Sequence, residues 1–252
     1  MNMLPLIEST NRLTRETEAL KTEFPKESWR FRSLELEIES IRNLLLAEQR
    51  RQTAFKSGSG AEFRAFNRLL KRACRDDLKK GWKDEDGRLY ACDGYVAVRL
   101  NDPQFTPPLA ENRVMDFDTI IQSGYDIATT EDNLPDYTDL KTYYSAFVAK
   151  VRAEHNSKQI QWIKSSHNNK FPCYYHPENG PYLFVEDLLL VMEILPDAKL
   201  CFSENYPLRP AYMKGPSGTG IILPIRATDN NVSLIQVDND SIALRAGTYF
   251  AA

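Results

Sequence analysis

Few residues in this 252-residue sequence have the types and spacing that chemistry requires. Gly215-Pro-Ser-Gly-Thr-Gly220 has glycines like a phosphate-binding loop, but no Lys-Ser/Thr pair follows and no helix is predicted there, so a hairpin loop is expected. Cys173 and His176 are spaced like half a zinc site, and the other two histidines do not form a matching pair. No Ser-His-Asp or Cys-His arrangement has a local signature. We therefore expect a protein that is not an enzyme, with no catalytic residues, no metal and no cofactor.

Cationic side chains recur at steps of three and four residues in the segment 61–80, which is predicted to be a helix. They are Arg64, Arg68, Lys71, Arg72, Arg75 and Lys79. Residues at this spacing share one face of a helix, and the other face carries Phe66, Leu69, Leu70 and Ala73. One interpretation is an ordinary solvated face, moderated by Asp76 and Asp77. The other depends on a family resemblance given below.

The overall composition excludes several classes of protein. The formal net charge is -3, so the chain as a whole has no general attraction to nucleic acid or acidic membranes. No apolar run approaches the roughly 18 residues that a membrane span needs, and the first residues do not have the pattern of a signal peptide. Cysteines without paired spacing are predicted to be buried free thiols in a reducing compartment: Cys74, Cys92, Cys173 and Cys201. We expect a soluble, cytoplasmic protein with no membrane partner.

The elements that position these residues begin with a helical region, residues 1–55. Apolar residues there follow the alternating three- and four-residue spacing of a seam between helices: Phe31, Leu34, Ile38, Ile41 and Leu45. The seam ends before the three to four heptads that are typical of a free coiled coil. A helical hairpin broken near Pro25 and packed on its own domain remains open, and so does a seam between two copies of the chain.

Two units, each a helix followed by antiparallel strands, lie roughly a hundred residues apart. In the first, the 61–80 helix is followed by Gly87, where a positive φ is expected, and by a hairpin over 88–100. Asp93-Gly94 is a favoured dipeptide for the turn of that hairpin. In the second, an apolar helix over 185–195 is stopped by Pro196. Strands are then predicted at 199–203, 212–214 and 219–225.

The patterns that predict helices and strands are weaker between the two units and after the second unit. A helix is predicted from Leu140 to about His155, and strands at 159–163 and 173–176. A final hairpin is predicted over 232–245. Helices alternate with antiparallel hairpins throughout, so the predicted fold class is α+β.

Two segments provide a resemblance to a known family. Tyr90-Ala-Cys-Asp-Gly-Tyr-Val-Ala-Val-Arg-Leu100 is similar to the strand pair Ala-Thr-Asp-Gly-(His or Tyr)-Arg-Leu-Ala. Ile222-Leu-Pro-Ile-Arg226, after its apolar helix, is similar to a closing Met-Pro-Met-Arg-Leu. Both patterns belong to the bacterial sliding clamp, the processivity factor of the replicative DNA polymerase. The two units resemble the two halves of one clamp domain.

The resemblance covers about residues 62–100 and 182–226. It implies one clamp-like domain over 61–252, made of two helix-plus-hairpin halves with an insertion at about 101–181. A bacterial clamp subunit has three such domains and this chain has room for one, so a ring that encircles DNA is not implied. Clamp-like proteins of about this size also occur as phage and prophage products, and such an origin is expected here.

The resemblance also implies double-stranded DNA as a partner of the basic face. The inner helices of a clamp direct Lys and Arg toward phosphates without reading sequence, which would make binding salt-sensitive. The second helix instead carries acidic residues that would repel phosphate: Glu186, Asp187 and Glu193. If DNA is bound, only the first helix is expected to bind it.

The resemblance also implies a pocket that binds an apolar peptide of a replication protein. The family's pocket residues correspond to Cys92, Tyr95 and Ala97 in one segment and to Leu223, Pro224, Ile225 and Arg226 in the other. These two sets need not meet within one domain, so a pocket made by two copies of the chain stays open. The other interpretation, which the sequence favours, is that they are strand residues packed in a core.

The expected function is therefore a non-enzymatic, clamp-like binding protein associated with DNA replication. The alternative is an interaction factor, for example a phage protein that binds a host protein, which uses the clamp fold without encircling DNA. A nucleic-acid enzyme is disfavoured because no acidic metal-binding cluster is visible. Whether the chain forms a homo-oligomer stays open.

Overall fold

The computed structural model describes residues 3–111, 116–125, 128, 130–154, 170–175, 181–203, 206, 208–224, 232–236 and 243–248. The chain divides into two compact units. The first comprises Met1–Phe63 and Gln104–Thr106, and the second comprises Arg64–Pro103 and Pro107–Ala252. Helices are combined with antiparallel sheets, which confirms the α+β class.

The first unit is built around a helical hairpin, one of the two arrangements that the sequence left open. Helices α1 (Leu4–Glu23) and α2 (Ser28–Lys56) are joined by a short 3-10 turn over Pro25–Glu27. Pro25 has no backbone N–H and cannot extend α1. The two helices pack against each other, and Lys21 Nζ lies 2.7 Å from Glu35 Oε1 across the pair.

The helix that carries the predicted basic face, α3 (Gly60–Arg72), is shorter than expected. The prediction that it continues to Lys80 is wrong, and a 3-10 turn at Asp76–Leu78 follows instead. Ala73 and Leu78 are both buried. Five residues of continuous α-helix would place them about 140° apart around the axis, so the chain leaves the helix to bury both.

Among its described residues, the second unit contains three further helices and two sheets. The helices are α4 (Phe117–Tyr125), α5 (Tyr137–Glu154) and α6 (Val185–Ile194). The larger sheet contains β1 (Trp82–Lys83), β2 (Leu89–Cys92), β3 (Val96–Leu100), β4 (Thr130–Asp132), β7 (Lys199–Phe202), β8 (Ala211–Gly215) and β9 (Gly218–Ile222). The smaller contains β5 (Lys170–Tyr175), β6 (Tyr182–Phe184), β10 (Val232–Gln236) and β11 (Ala243–Thr248).

The larger sheet has the order β1-β2-β3-β9-β8-β7-β4, with every neighbouring pair antiparallel. In chain order, α3 precedes β1, β2 and β3, and α6 precedes β7, β8 and β9. The strand order is therefore symmetrical about the central β3–β9 pair, where Val96 lies opposite Ile222 and Leu100 opposite Gly218. The segment predicted as an insertion contributes β4 at one edge.

Both faces of this sheet are covered. On one face, α6 approaches so closely that a Cβ at Gly220 would lie 2.9 Å from Val191 Cγ1. On the other face, Phe117 and Ile121 of α4 belong to a cluster with alternate residues of the strands: Tyr90, Cys92, Ala97, Cys201, Tyr212 and Ile221. Strand β2 is buried at every position, which fits the unbroken apolar sequence Leu89–Cys92.

The smaller sheet has the order β10-β11-β5-β6 and is also antiparallel. The pairing of β10 with β11 confirms the predicted final hairpin. The predicted strand at 159–163 lies outside the described residues. Cys92 and Cys201 are buried free thiols, as predicted, but that prediction is wrong for Cys74, which is exposed just beyond the end of α3.

Candidate functional site

The turn between β2 and β3 presents one aromatic side chain to solvent. Asp93 Oδ1 accepts hydrogen bonds from the backbone N–H groups of Tyr95 and Val96, at 2.9 and 2.8 Å. Gly94 has φ of +103°, a conformation that side chains rarely adopt. The aspartate–glycine turn therefore fixes the position of Tyr95, which is 53% exposed.

The two predicted peptide-binding segments meet at this turn. The backbone N–H of Leu223 donates a hydrogen bond to the carbonyl oxygen of Tyr95, at 2.9 Å. This contact extends the β3–β9 ladder beyond the pair formed by Val96 and Ile222. The side chain of Leu223 is 39% exposed. One chain brings both segments together without a second copy.

The remaining predicted peptide-binding residues have different environments. Cys92 and Ala97 are buried in the cluster that contains α4, and Pro224 is half-buried. Ile225 and Arg226 lie outside the described residues. Tyr95 and Leu223 are therefore the members of the predicted set that the structure describes as exposed.

Further exposed apolar residues at the same end of the sheet were missed by the sequence analysis. The chain between β7 and β8 returns to the sheet at Ala211, which lies opposite Ile222. It carries Tyr206 and Leu208, both exposed. The sequence did contain a signal for them, since two large apolar residues lie in a connection that also contains proline. We call Tyr95, Tyr206, Leu208 and Leu223 the sheet-end surface.

Most of the predicted basic face is paired with carboxylates. Arg68 pairs with Glu193 of α6, and Arg72 pairs with Asp187 of α6 and with Asp93. Beyond the helix, Arg75 pairs with Asp77, and Lys79 Nζ lies 2.7 Å from Asp76 Oδ1. Arg64 and Lys71 are exposed. The acidic residues of the second helix thus lie beside the cations of the first and offset their charge.

Arg72 lies at the centre of a buried charge cluster. Its Nε lies 3.1 Å from Asp93 Oδ2, and its Nη2 donates to Asp187 Oδ1. The side chains of Asp93 and Asp187 are 2% and 4% exposed. Burial raises the pKa of Asp187 to about 6, and the nearby guanidinium of Arg72 limits the rise. The cluster connects α3, the β2–β3 turn and α6.

The raised pKa of Asp187 predicts a pH-dependent stability. The folded chain holds a proton on Asp187 more tightly than the unfolded chain, whose aspartates titrate near pH 4. The contribution of this group therefore increases the free energy of unfolding as the pH falls from about 7 to about 4.5. We expect the difference between wild type and Asp187→Asn to change by about 2 kcal/mol over that range. Urea unfolding at several pH values measures it, and a difference that does not vary with pH would contradict the expectation.

A second polar network lies beside α4. The Tyr90 hydroxyl lies 2.7 Å from Asp84 Oδ2 and 3.0 Å from Asp118 Oδ2, and its single proton is shared between these two acceptors. Arg99 Nη1 donates to Asp118 Oδ1 at 2.7 Å. Burial and the two carboxylates raise the pKa of Tyr90, which keeps the hydroxyl protonated as a hydrogen-bond donor. The network fixes α4 on the sheet.

No family model, no curated protein and no solved structure matches this chain. Within the described parts of the chain, no three His, Cys, Asp or Glu side chains are grouped as metal ligands would be. Among the described helices, none combines the length and apolar character needed to cross a membrane.

Proposed function

We propose that the chain is a non-enzymatic, clamp-like binding protein of DNA replication, which docks a short apolar segment of a replication protein on the sheet-end surface. The observation that carries this proposal is the hydrogen bond from Leu223 N–H to Tyr95 O. It joins the two segments that resemble the peptide-binding segments of the sliding clamp.

The architecture of the second unit supports the proposal. A helix followed by three strands occurs twice, and the two sets of strands meet at the β3–β9 pair. Two ion pairs link the helices α3 and α6, from Arg68 to Glu193 and from Arg72 to Asp187. This arrangement agrees with two related halves forming one domain.

The sheet-end surface has the chemistry of a peptide site. Its exposed rings and leucine side chains offer apolar contact area, and the Arg209 guanidinium stacks 4.1 Å from the Tyr206 ring centroid. Backbone groups at a sheet end fix the position of these side chains, which lowers the entropy cost of binding. Large apolar side chains of a short peptide are the ligands that such a surface would select.

A selection from a library of random seven-residue peptides tests the proposal. We expect the full chain to select peptides with at least two large apolar residues. Tyr95→Ser combined with Leu223→Ser should weaken binding of a selected, fluorescein-labelled peptide at least about tenfold, since two apolar contacts are lost. Fluorescence anisotropy measures the dissociation constants.

Leu36→Ser is the matched control, because Leu36 is an exposed leucine of α2, in the other unit. It should leave the affinity for the peptide unchanged. Failure to select any peptide, or equal affinity in the Tyr95/Leu223 double variant, would contradict docking at the sheet-end surface.

The second candidate is an interaction factor that uses the clamp-like fold without contacting DNA, such as a phage-encoded protein that binds a host protein. The pairing of Arg68, Arg72, Arg75 and Lys79 with carboxylates favours it over DNA tethering. A labelled 30-base-pair duplex separates the two. DNA tethering requires binding that weakens steeply between 50 and 200 mM salt and is lost on Arg64→Glu with Lys71→Glu. The interaction factor would bind peptide but not the duplex.

A further inference from the structure

The N-terminal hairpin has an exposed apolar row on α1. Apart from Asn11, the buried or half-buried residues from Met3 to Lys21 follow three- and four-residue steps: Met3, Ile7, Thr10, Thr14, Thr17 and Lys21. Leu6, Leu13 and Leu20 repeat every seven residues, and each immediately precedes a member of that set. These leucines are between 39% and 45% exposed. The apolar row therefore lies beside the contact face of α1.

Helix α2 has a corresponding row. Leu34 and Ile41 are seven residues apart and are 44% and 51% exposed. Leu34 immediately precedes Glu35, and Leu20 immediately precedes Lys21, the two residues of the ion pair between the helices. In an antiparallel helix pair, residues that precede the contact positions lie on the same flank of both helices. The two rows together form one surface, which we call the leucine flank: Leu6, Leu13, Leu20, Leu34 and Ile41.

The contact face of α1 is more polar than its flank. The hydroxyls of Thr10, Thr14 and Thr17 donate to carbonyl oxygens of α1 itself, at 2.8, 3.1 and 2.8 Å. These bonds satisfy the threonines but add no contact across the hairpin. Two helices that bury a partly polar seam and expose their leucines lack much of the apolar burial that stabilises packed helices.

We propose that the leucine flank packs against the same flank of a second copy of the chain, so that two hairpins form a four-helix bundle. Apolar residues at a seven-residue repeat fit a helix with the same repeat, and a second hairpin supplies it. Helices of four-helix bundles characteristically use a third apolar position beside the two contact positions. A twofold arrangement gives both copies the same surface.

The area of this side of the hairpin agrees with a second hairpin as its partner. Helix α1 has 20 residues, which corresponds to a length of about 30 Å. Two helices about 10 Å apart, each about 10 Å across, give the hairpin a side about 20 Å wide. The whole side that carries the leucine flank thus offers about 600 Å² per copy and about 1,200 Å² in total, where stable interfaces begin. Dimerisation does not depend on the proposed peptide binding, although a dimer would contain two sheet-end surfaces.

The mass of the full chain in solution tests the proposal. Light scattering after size exclusion, at micromolar concentration, should give twice the 28.9 kDa of one chain. Leu13→Glu combined with Ile41→Glu places a charge in each row and should raise the dimer dissociation constant by about 100-fold or more. Both positions are exposed in the single chain, so the far-UV circular dichroism should be unchanged.

Leu4→Glu combined with Leu36→Glu is the matched control. It also places one glutamate in each helix, at exposed leucines that do not belong to the leucine flank. This variant should remain a dimer. A wild-type monomer across micromolar concentrations would overturn the proposal. A dimer that persists in the Leu13/Ile41 variant would overturn it too, because the interface would then lie elsewhere.

Discussion

Replacing Arg72 with methionine is expected to lower the free energy of unfolding by about 3 kcal/mol or more. The substitution keeps much of the aliphatic volume but removes the guanidinium that pairs with Asp93 and Asp187. Both carboxylates are buried, and a buried charge that loses its partner costs about 3–5 kcal/mol. The side chain of Arg72 is itself partly exposed, so the lower end of that range is expected. Urea denaturation at pH 7.5 measures the change.

Arg68→Met is the matched control for this prediction. Arg68 pairs with Glu193 on the same two helices, but its side chain is 54% exposed. Solvent-exposed ion pairs contribute about 1 kcal/mol or less, so this variant should lose little stability. Adding Asp187→Asn to Arg72→Met should restore part of the loss, since one of the two unpaired charges is removed. Equal losses for Arg68→Met and Arg72→Met would contradict the assigned role of the buried cluster.

A methyl group at Gly218 should destabilise the second unit by about 3 kcal/mol or more. The new Cβ of Gly218→Ala would overlap the carbonyl oxygen of Arg99 and would lie 2.9 Å from Leu195 Cδ2. The first contact is with backbone, so β9 must move away from β3, and overpacking of this kind typically costs about 1–3 kcal/mol or more. Thermal and urea unfolding of the variant measure the loss.

Gly87→Ala provides the comparison for Gly218→Ala. Gly87 has φ of +81°, and a Cβ there would have no atom within 4 Å. The variant should therefore lose only about 1 kcal/mol, from the left-handed conformation alone. A loss at Gly218 no greater than that at Gly87 would show that β3 and β9 can separate without cost, contrary to the central position of that pair.

Local patterns in the sequence were sufficient for most elements. The turn at Asp93-Gly94 was predicted because the dipeptide favours it, and Gly94 has the required positive φ. The end of α6 before Pro196 was predicted because proline restricts the residue before it. Each of these features depends on residues close together in the chain, so the pattern and the structure agree.

Long-range contacts decided what local patterns did not. The sequence predicted that α3 continues to Lys80. The helix ends at Arg72 because Ala73 and Leu78 are both buried in the core. The basic residues of α3 could be identified from their spacing. The pairing of these residues with Asp187 and Glu193 could not be predicted, because those carboxylates lie more than a hundred residues later and no local rule relates two helices so far apart.

Part of the candidate site could be predicted from the sequence, and part of it depended on the tertiary structure. The sequence alone determined the α+β class and the helical character of residues 1–55, since periodicity and turn residues act over a few neighbours. Its resemblance to the sliding clamp indicated the two segments that contain Tyr95 and Leu223. Only the tertiary structure decided that these segments meet in one chain, that Cys92 and Ala97 are buried, and that Tyr206 and Leu208 lie at the same sheet end. Strand pairing and burial depend on the packing of the whole unit, and side-chain exposure follows from that packing.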